Sequence, residues 1–109
     1  MTVRTLLILF GAATLTVAAT VAHVVHRQHQ LESVFQSTNA GSPITTIVSS
    51  LGKPWSTSKC GTVFGDDEPN GCETELLYAN PVAPLLPEYW SFQYDNQGKL
   101  IGKYHYVSP

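Results

Sequence analysis

Few side chains in this sequence are spaced for chemistry. His23, His26 and His29 recur every three residues, which on a helix spreads them over one broad face. Imidazoles so placed can bind a transition metal or sense pH beside a membrane. No cysteine or carboxylate joins them at ligand spacing, so the expectation is a solvated helix face and no metal. Asp66-Asp67-Glu68-Pro69-Asn70-Gly71 lacks the alternating oxygen ligands and distal glutamate of a calcium loop, and Pro69 interrupts it. It reads as an acidic turn. His105 is the sole histidine beyond the N-terminal region. Without a serine motif or a carboxylate pair near it in sequence, it implies no catalytic constellation, and neither an enzyme nor a cofactor is expected.

Cys60 and Cys72 are the only cysteines and flank the turn-rich segment Gly61–Gly71. An even pair bracketing a turn in an exported chain predicts a disulfide. Closing a loop of that size stabilises a fold by about 3 kcal/mol through lost unfolded-chain entropy. Trp90, Phe92 and Tyr94 alternate along one stretch and are expected in the core. Tyr104 and Tyr106, flanking His105, are the better surface candidates for partner binding. A second candidate surface is Asn80-Pro81-Val82-Ala83-Pro84-Leu85-Leu86-Pro87. There proline keeps Val82, Leu85 and Leu86 out of a strand ladder, for binding a partner or for closing one end of the core.

These residues have to be positioned by a short chain. Residues 5–25, TLLILFGAATLTVAATVAHVV, carry His23 as their one ionisable side chain. At about 1.5 Å per residue the stretch is roughly 31 Å long, enough to cross a bilayer. It is longer than the core of most cleaved signals and runs past Ala19 without a polar break, which favours a signal anchor over a signal peptide cut near Thr20. No cysteine precedes Cys60, so no lipid-bearing cysteine follows the apolar stretch. Charges balance across it, and the expected disulfide instead places the C-terminal part on the oxidising side. The expected organisation is therefore residues 1–27 as a signal anchor or transmembrane helix and residues 28–109 as an extracytoplasmic domain. The formal net charge of −2, with 13% charged residues and no basic stripe, argues against nucleic-acid binding.

Within the domain, Leu31, Val34 and Phe35 share a helical face and the helix is expected to reach about Gln36. Ser42 is expected to cap a second helix starting at Pro43. Its stripe would be Ile44, Ile47, Val48 and Leu51, and it would end at Gly52 and Pro54. The remainder reads as strands around residues 72–78, 89–94 and 99–107, the last two joined by the turn Asp95-Asn96-Gln97-Gly98. The fold class is α+β: short helices on one face of a three- or four-stranded antiparallel sheet, behind the N-terminal helix.

Gly41-Ser42-Pro43, Ile47 and Leu51-Gly52-Lys53-Pro54 resemble the G-x-[ST]…V…LGxP signature of the SmpA/OmlA domain, the fold of BamE-like lipoproteins of outer-membrane β-barrel assembly. Phe92-Gln93-Tyr94-Asp95-Asn96-Gln97-Gly98-Lys99-Leu100 resembles that family's strand-turn-strand ending, so the resemblance spans about residues 32–107. Pro43 stands where the family has a capping threonine, and the lipid-anchoring cysteine is missing. The resemblance implies a role in envelope or outer-membrane assembly, while the same fold is similar to the repeat of secreted β-lactamase inhibitor proteins. The expected function is a protein-interaction module at the inner membrane, anchored through residues 5–25, facing the periplasm and binding an unidentified envelope protein. The alternative is a soluble periplasmic inhibitor or ligand-binding protein released by signal cleavage.

Overall fold

The computed structural model describes residues 2–61, 69–82, 85 and 87–107. Helix α1 spans Val3–Ser37 without interruption. The Thr2 hydroxyl accepts the Thr5 N–H at 3.3 Å at its start, as an N-cap does. Its apolar part has mean hydropathy 2.0 over 18 residues, none of them buried in the protein, so the helix is long and apolar enough to cross a membrane. The polar threonines of this stretch hide their donors: Thr14, Thr16 and Thr20 each give the hydroxyl proton to the carbonyl four residues back, at 2.9 Å. That is how a hydroxyl is accommodated where water is absent. Toward its C-terminus the helix becomes a core element, with Leu31 fully buried. It ends where Thr38 returns both its N–H and its hydroxyl to the Val34 carbonyl. Lys103 caps the same end, donating to the carbonyls of Phe35 and Thr38, a cation placed against the negative pole of the helix.

Helix α2 covers Ile44–Leu51. Its start departs from the sequence expectation. Pro43 is the capping position and is extended (φ −71°, ψ 150°), and no side chain caps the helix. Ser42 is instead drawn into backbone pairing with the sheet: its carbonyl accepts the Leu100 N–H at 2.9 Å, and Gly41 donates to the Leu100 carbonyl at 2.8 Å. The first helical N–H, on Ile44, is satisfied by the Gly98 carbonyl at 2.8 Å. A carbonyl from the β-turn thus does the work assigned to the Ser42 hydroxyl. The stripe is also narrower than expected. Ile47 and Leu51 are buried and Ile44 packs beside them, but Val48 is 40% exposed, because eight residues against one sheet edge bury two turns of a single seam rather than a broad face.

Strands β1 (Ser56–Ser58), β2 (Thr74–Ala79), β3 (Glu88–Tyr94) and β4 (Leu100–Val107) form one antiparallel meander in chain order. Both helices lie on the same face. Leu76, Tyr78, Trp90, Phe92, Tyr94 and Leu100 from the sheet meet Leu31, Ile47 and Leu51 in one buried cluster. Phe92 is central: Phe35 and Tyr78 approach it edge-on, with ring centroids at 5.8 and 5.9 Å, a preferred arrangement of aromatic quadrupoles. Asp95 builds the β3–β4 turn by accepting the N–H groups of Gln97 and Lys99 at 2.9 Å. Gly98 closes it at φ 73°, a conformation that a side chain would strain. Cys60, just after β1, is disulfide-bonded to Cys72, just before β2, with Cα atoms 5.9 Å apart. The bond therefore ties the ends of two paired strands, as expected from the sequence. The acidic residues 66–68 lie outside the described residues.

The two faces of α2 make opposite predictions. Ile47→Asp buries a carboxylate at a fully buried site and should cost about 4 kcal/mol or more, enough to unfold a domain of this size. Val48→Asp, one residue away, should change stability by no more than about 0.5 kcal/mol. Circular-dichroism melts of both variants in detergent check the pair, and equal losses would mean that α2 docks through another seam.

Candidate functional site

Where α1 leaves its apolar stretch it runs beside the sheet in the direction of β3. Gln28 meets Glu88, Glu32 meets Trp90 and Phe35 meets Phe92. Val25, Gln28, His29 and Glu32 follow helical spacing and form one wall of an open cleft of about 380 Å³. Glu88, Trp90 and His105 form the other. Trp90 and His105 are cross-strand partners, and their rings stack at 4.7 Å and 11°.

Two carboxylates converge on this imidazole. His105 Nε2 is 3.1 Å from Glu88 Oε2, and Nδ1 is 3.8 Å from Glu32 Oε2. The sequence reading left His105 without carboxylate company, and the structure corrects it. Glu88 arrives because it is a diagonal neighbour across the β3–β4 ladder, and Glu32 because the helix lies over that ladder. Neither relation is visible in linear spacing. Each carboxylate also accepts neutral donors. Trp90 Nε1 donates to Glu32 Oε2 at 2.8 Å and Gln36 to Oε1 at 2.9 Å, while Gln28 and Asn80 donate to Glu88 Oε1 at 3.1 and 3.0 Å. With its oxygens occupied in this way, the cluster works as a polar bolt between helix and sheet. The hydrogen bonds from Gln36 and then Trp90, with His105 nearby, hold the Glu32 carboxyl below its ordinary pKa against a smaller opposing effect of burial. Among the described residues no group of His, Cys, Asp and Glu is arranged to hold a metal. His29 lines the cleft, while His23 and His26 are exposed on α1.

A second notch, of about 300 Å³, opens at the C-terminal end of α2, lined by Arg27, Lys53, Trp55, Asn80 and Pro81 over Tyr78. Three side chains satisfy the last carbonyls of α2. Arg27 donates to Leu51 at 2.8 Å, Gln30 to Ser50 at 3.1 Å, and the Tyr78 hydroxyl to Gly52 at 2.7 Å. These are the orphan acceptors that every helix end must place, and Arg27 adds charge of the favourable sign. Burial raises the pKa of the Tyr78 phenol, with Arg27 opposing it, so Tyr78 remains a donor.

The residues singled out for partner binding lie on two separate elements. Val82 lies in the β2–β3 connection, its N–H bonded to Asn80 Oδ1 at 3.0 Å. Leu85 is 86% exposed and does not close the core; Leu86 lies outside the described residues. Tyr104 is exposed on β4, while Tyr106 is half-buried with its ring 6.2 Å from that of Tyr89. Sequence reasoning missed Arg27, Glu32, Trp55 and Glu88. For Glu32 alone a local signal existed, since it shares a helical face with Gln28 and Phe35. Comparison with protein-family models, curated proteins and solved structures gives no match for this chain.

The depressed Glu32 pKa has a defined sign. Stability from this group is fully present above its unfolded value near 4.3 and is lost as pH falls through the lower folded value. Glu32 is partly exposed, so the contribution is screened and small. Glu32→Gln should flatten the acid limb of thermal stability between about pH 5 and pH 3, shifting Tm by no more than about 4 °C. Identical wild-type and variant Tm profiles from pH 7 to 3 would remove Glu32 from the bolt.

Proposed function

We propose that this protein is a membrane-anchored, extracytoplasmic interaction module of the bacterial cell envelope, without catalysis, that receives a partner protein along the open edge of β4. The observation that carries the reading is the edge itself. The other edge strand, β1, is three residues long, whereas β4 has eight. Among the described residues only its first part has a second neighbour, where Gly41 and Ser42 bond Leu100. From Ile101 to Val107 β4 has one strand partner, β3. A long edge strand with a single strand neighbour is a template for strand addition. Its charged residue does not protect it, because Lys103 is turned under the sheet to cap α1. Tyr104 and Tyr106 alternate on the other face, amphipathic side chains of the kind that anchor interfaces.

The apolar helix supports inner-membrane anchoring, and the Cys60–Cys72 bond supports an oxidising compartment such as the periplasm. The resemblance to the SmpA/OmlA domain extends the proposal to assembly of envelope or outer-membrane proteins. Its two halves are bonded to each other, with Gly41, Ser42 and Ile44 of the first pairing with Gly98 and Leu100 of the second.

A photo-crosslinking residue placed at Tyr104 in intact cells should give a discrete adduct that is absent when the same residue replaces Ser49 on the exposed side of α2. Once the adduct is identified, Tyr104→Ala should weaken binding about 10- to 30-fold, the range for an aromatic anchor, with Tm unchanged. Equal crosslinking at both positions, or none, counts against the edge as the binding surface.

A further inference from the structure

The end of the domain nearest the apolar stretch has an unusual composition. Because β3 runs alongside α1 in the same direction, the sheet end at which β3 begins and β4 finishes is the end closest to residues 5–25. Three contacts fix that height. Arg27, two positions or about 3 Å beyond Val25, donates to the Leu51 carbonyl of α2. Gln28 bonds Glu88. Val25 itself lines the cleft with Glu88. The β2–β3 connection, to which Leu85 belongs, closes at this same end, where the Asn80 and Glu88 backbones bond at 2.9 Å.

Among the described residues, Trp55, Leu85 and Val107 are exposed apolar side chains on the elements of this end. Trp55 is 60% exposed and stacks on Tyr89 at 5.2 Å and 4°, and Tyr106 lies against the other side of Tyr89. Leu85, on the β2–β3 connection, is exposed, and Val107, also exposed, pairs with Glu88. Two cations, Arg27 and Lys53, face the notch beside Trp55. Tryptophan and tyrosine with lysine and arginine are the set favoured at the headgroup level of a bilayer, where one end of each side chain is apolar and the other wet. A partner protein would have to approach this end across the lipid surface. The bilayer already lies there if α1 spans it.

We propose that this end of the domain rests on the bilayer, with Trp55 and Leu85 at the headgroup–acyl boundary and Arg27 and Lys53 against phospholipid phosphates. The inference rests on the anchored reading of α1. It adds a second attachment, which limits how far the helix and the domain packed on it can tilt together in the membrane.

Trp55 reports the contact directly, because the chain has two tryptophans and none lies within residues 5–25. Trp90, the other, is buried in the core. The full chain is reconstituted in phosphatidylcholine vesicles carrying bromine at carbons 6 and 7 of one acyl chain, and its retention is followed by carbonate extraction. Docking predicts that the bromolipid quenches most of the Trp55 emission, that Trp55→Phe removes the quenchable component, and that Leu85→Glu weakens the quenching with Tm unchanged. A carbonate-resistant chain whose emission ignores bromolipid, or whose quenching survives Trp55→Phe, overturns the docking while leaving the anchor intact. A chain released by carbonate overturns the anchor and the docking together.

Discussion

Leu31 is completely buried in the centre of the core, yet it belongs to the same unbroken helix as the apolar stretch that ends at Val25. If that stretch spans a bilayer, one rigid element has to satisfy two solvents. Its N-terminal part presents apolar side chains in every direction, while its C-terminal part keeps a single apolar seam of Leu31, Val34 and Phe35 for the sheet. The sheet cannot do without that seam. Helix α2 has eight residues and covers only part of a face that holds Tyr78, Trp90, Phe92 and Tyr94. Burying Leu31 alone contributes about 2 kcal/mol, a large share of the net stability of so small a domain. Because side-chain direction on a helix advances by a fixed angle per residue, packing Leu31 also fixes how the sheet is rotated about the helix.

The polar contacts at this junction follow the same logic. The C-terminus of α2 meets α1 at the buried Leu51, and Arg27, Gln30 and Tyr78 converge on its last carbonyls, the orphan acceptors of a helix end. The opposite side of α1 meets Trp90, Glu88 and His105 through Glu32 and Gln28. Helix α1 is thus bonded on two flanks, and each bond is directional where the apolar seam between them is not. Charge at the domain base is used to fix geometry, which explains why so many of its few ionisable residues are found there.

Local features were legible in the sequence because their causes are local. The α2 stripe, the Asp95–Gly98 turn, the alternating aromatics of β3 and the cysteines flanking one turn each depend on residues within a few positions of one another. The misreadings have a common physical origin in partners distant along the chain. Ser42 has the side chain of a helix cap, but its backbone is claimed by Leu100. His105 looks solitary until the strand register brings Glu88 and the helix brings Glu32. The alternation of β3 carried a further subtlety. Ser91 and Gln93 lie opposite the aromatics and are polar, yet both are as buried as the core. Gln93 donates to the fully buried Glu75 at 3.0 Å, and Gly102 lies beside them, where an added Cβ would stand 2.5 Å from Gln93 Oε1 and displace that amide. Periodicity reports which side of a sheet is apolar, and it does not report whether the polar side is wet.

The direction of β4 links the two proposed surfaces. β4 is antiparallel to β3 and so runs back along α1, from the turn that staples α2 to the end nearest the apolar stretch. If α1 spans a bilayer, a strand added to its open edge would lie along the same axis, passing between the membrane surface and the far end of the domain. Such a partner would have to extend away from the bilayer rather than lie flat on it. The edge itself is stiffened at both ends: Leu100 is bonded to Gly41 and Ser42, and Tyr106 packs against the Tyr89–Trp55 stack. A template held in this way loses little freedom when a partner strand binds. Loosening either end should therefore weaken strand addition without touching the edge residues, and the aromatic stack at the membrane end would serve binding and docking through the same contact.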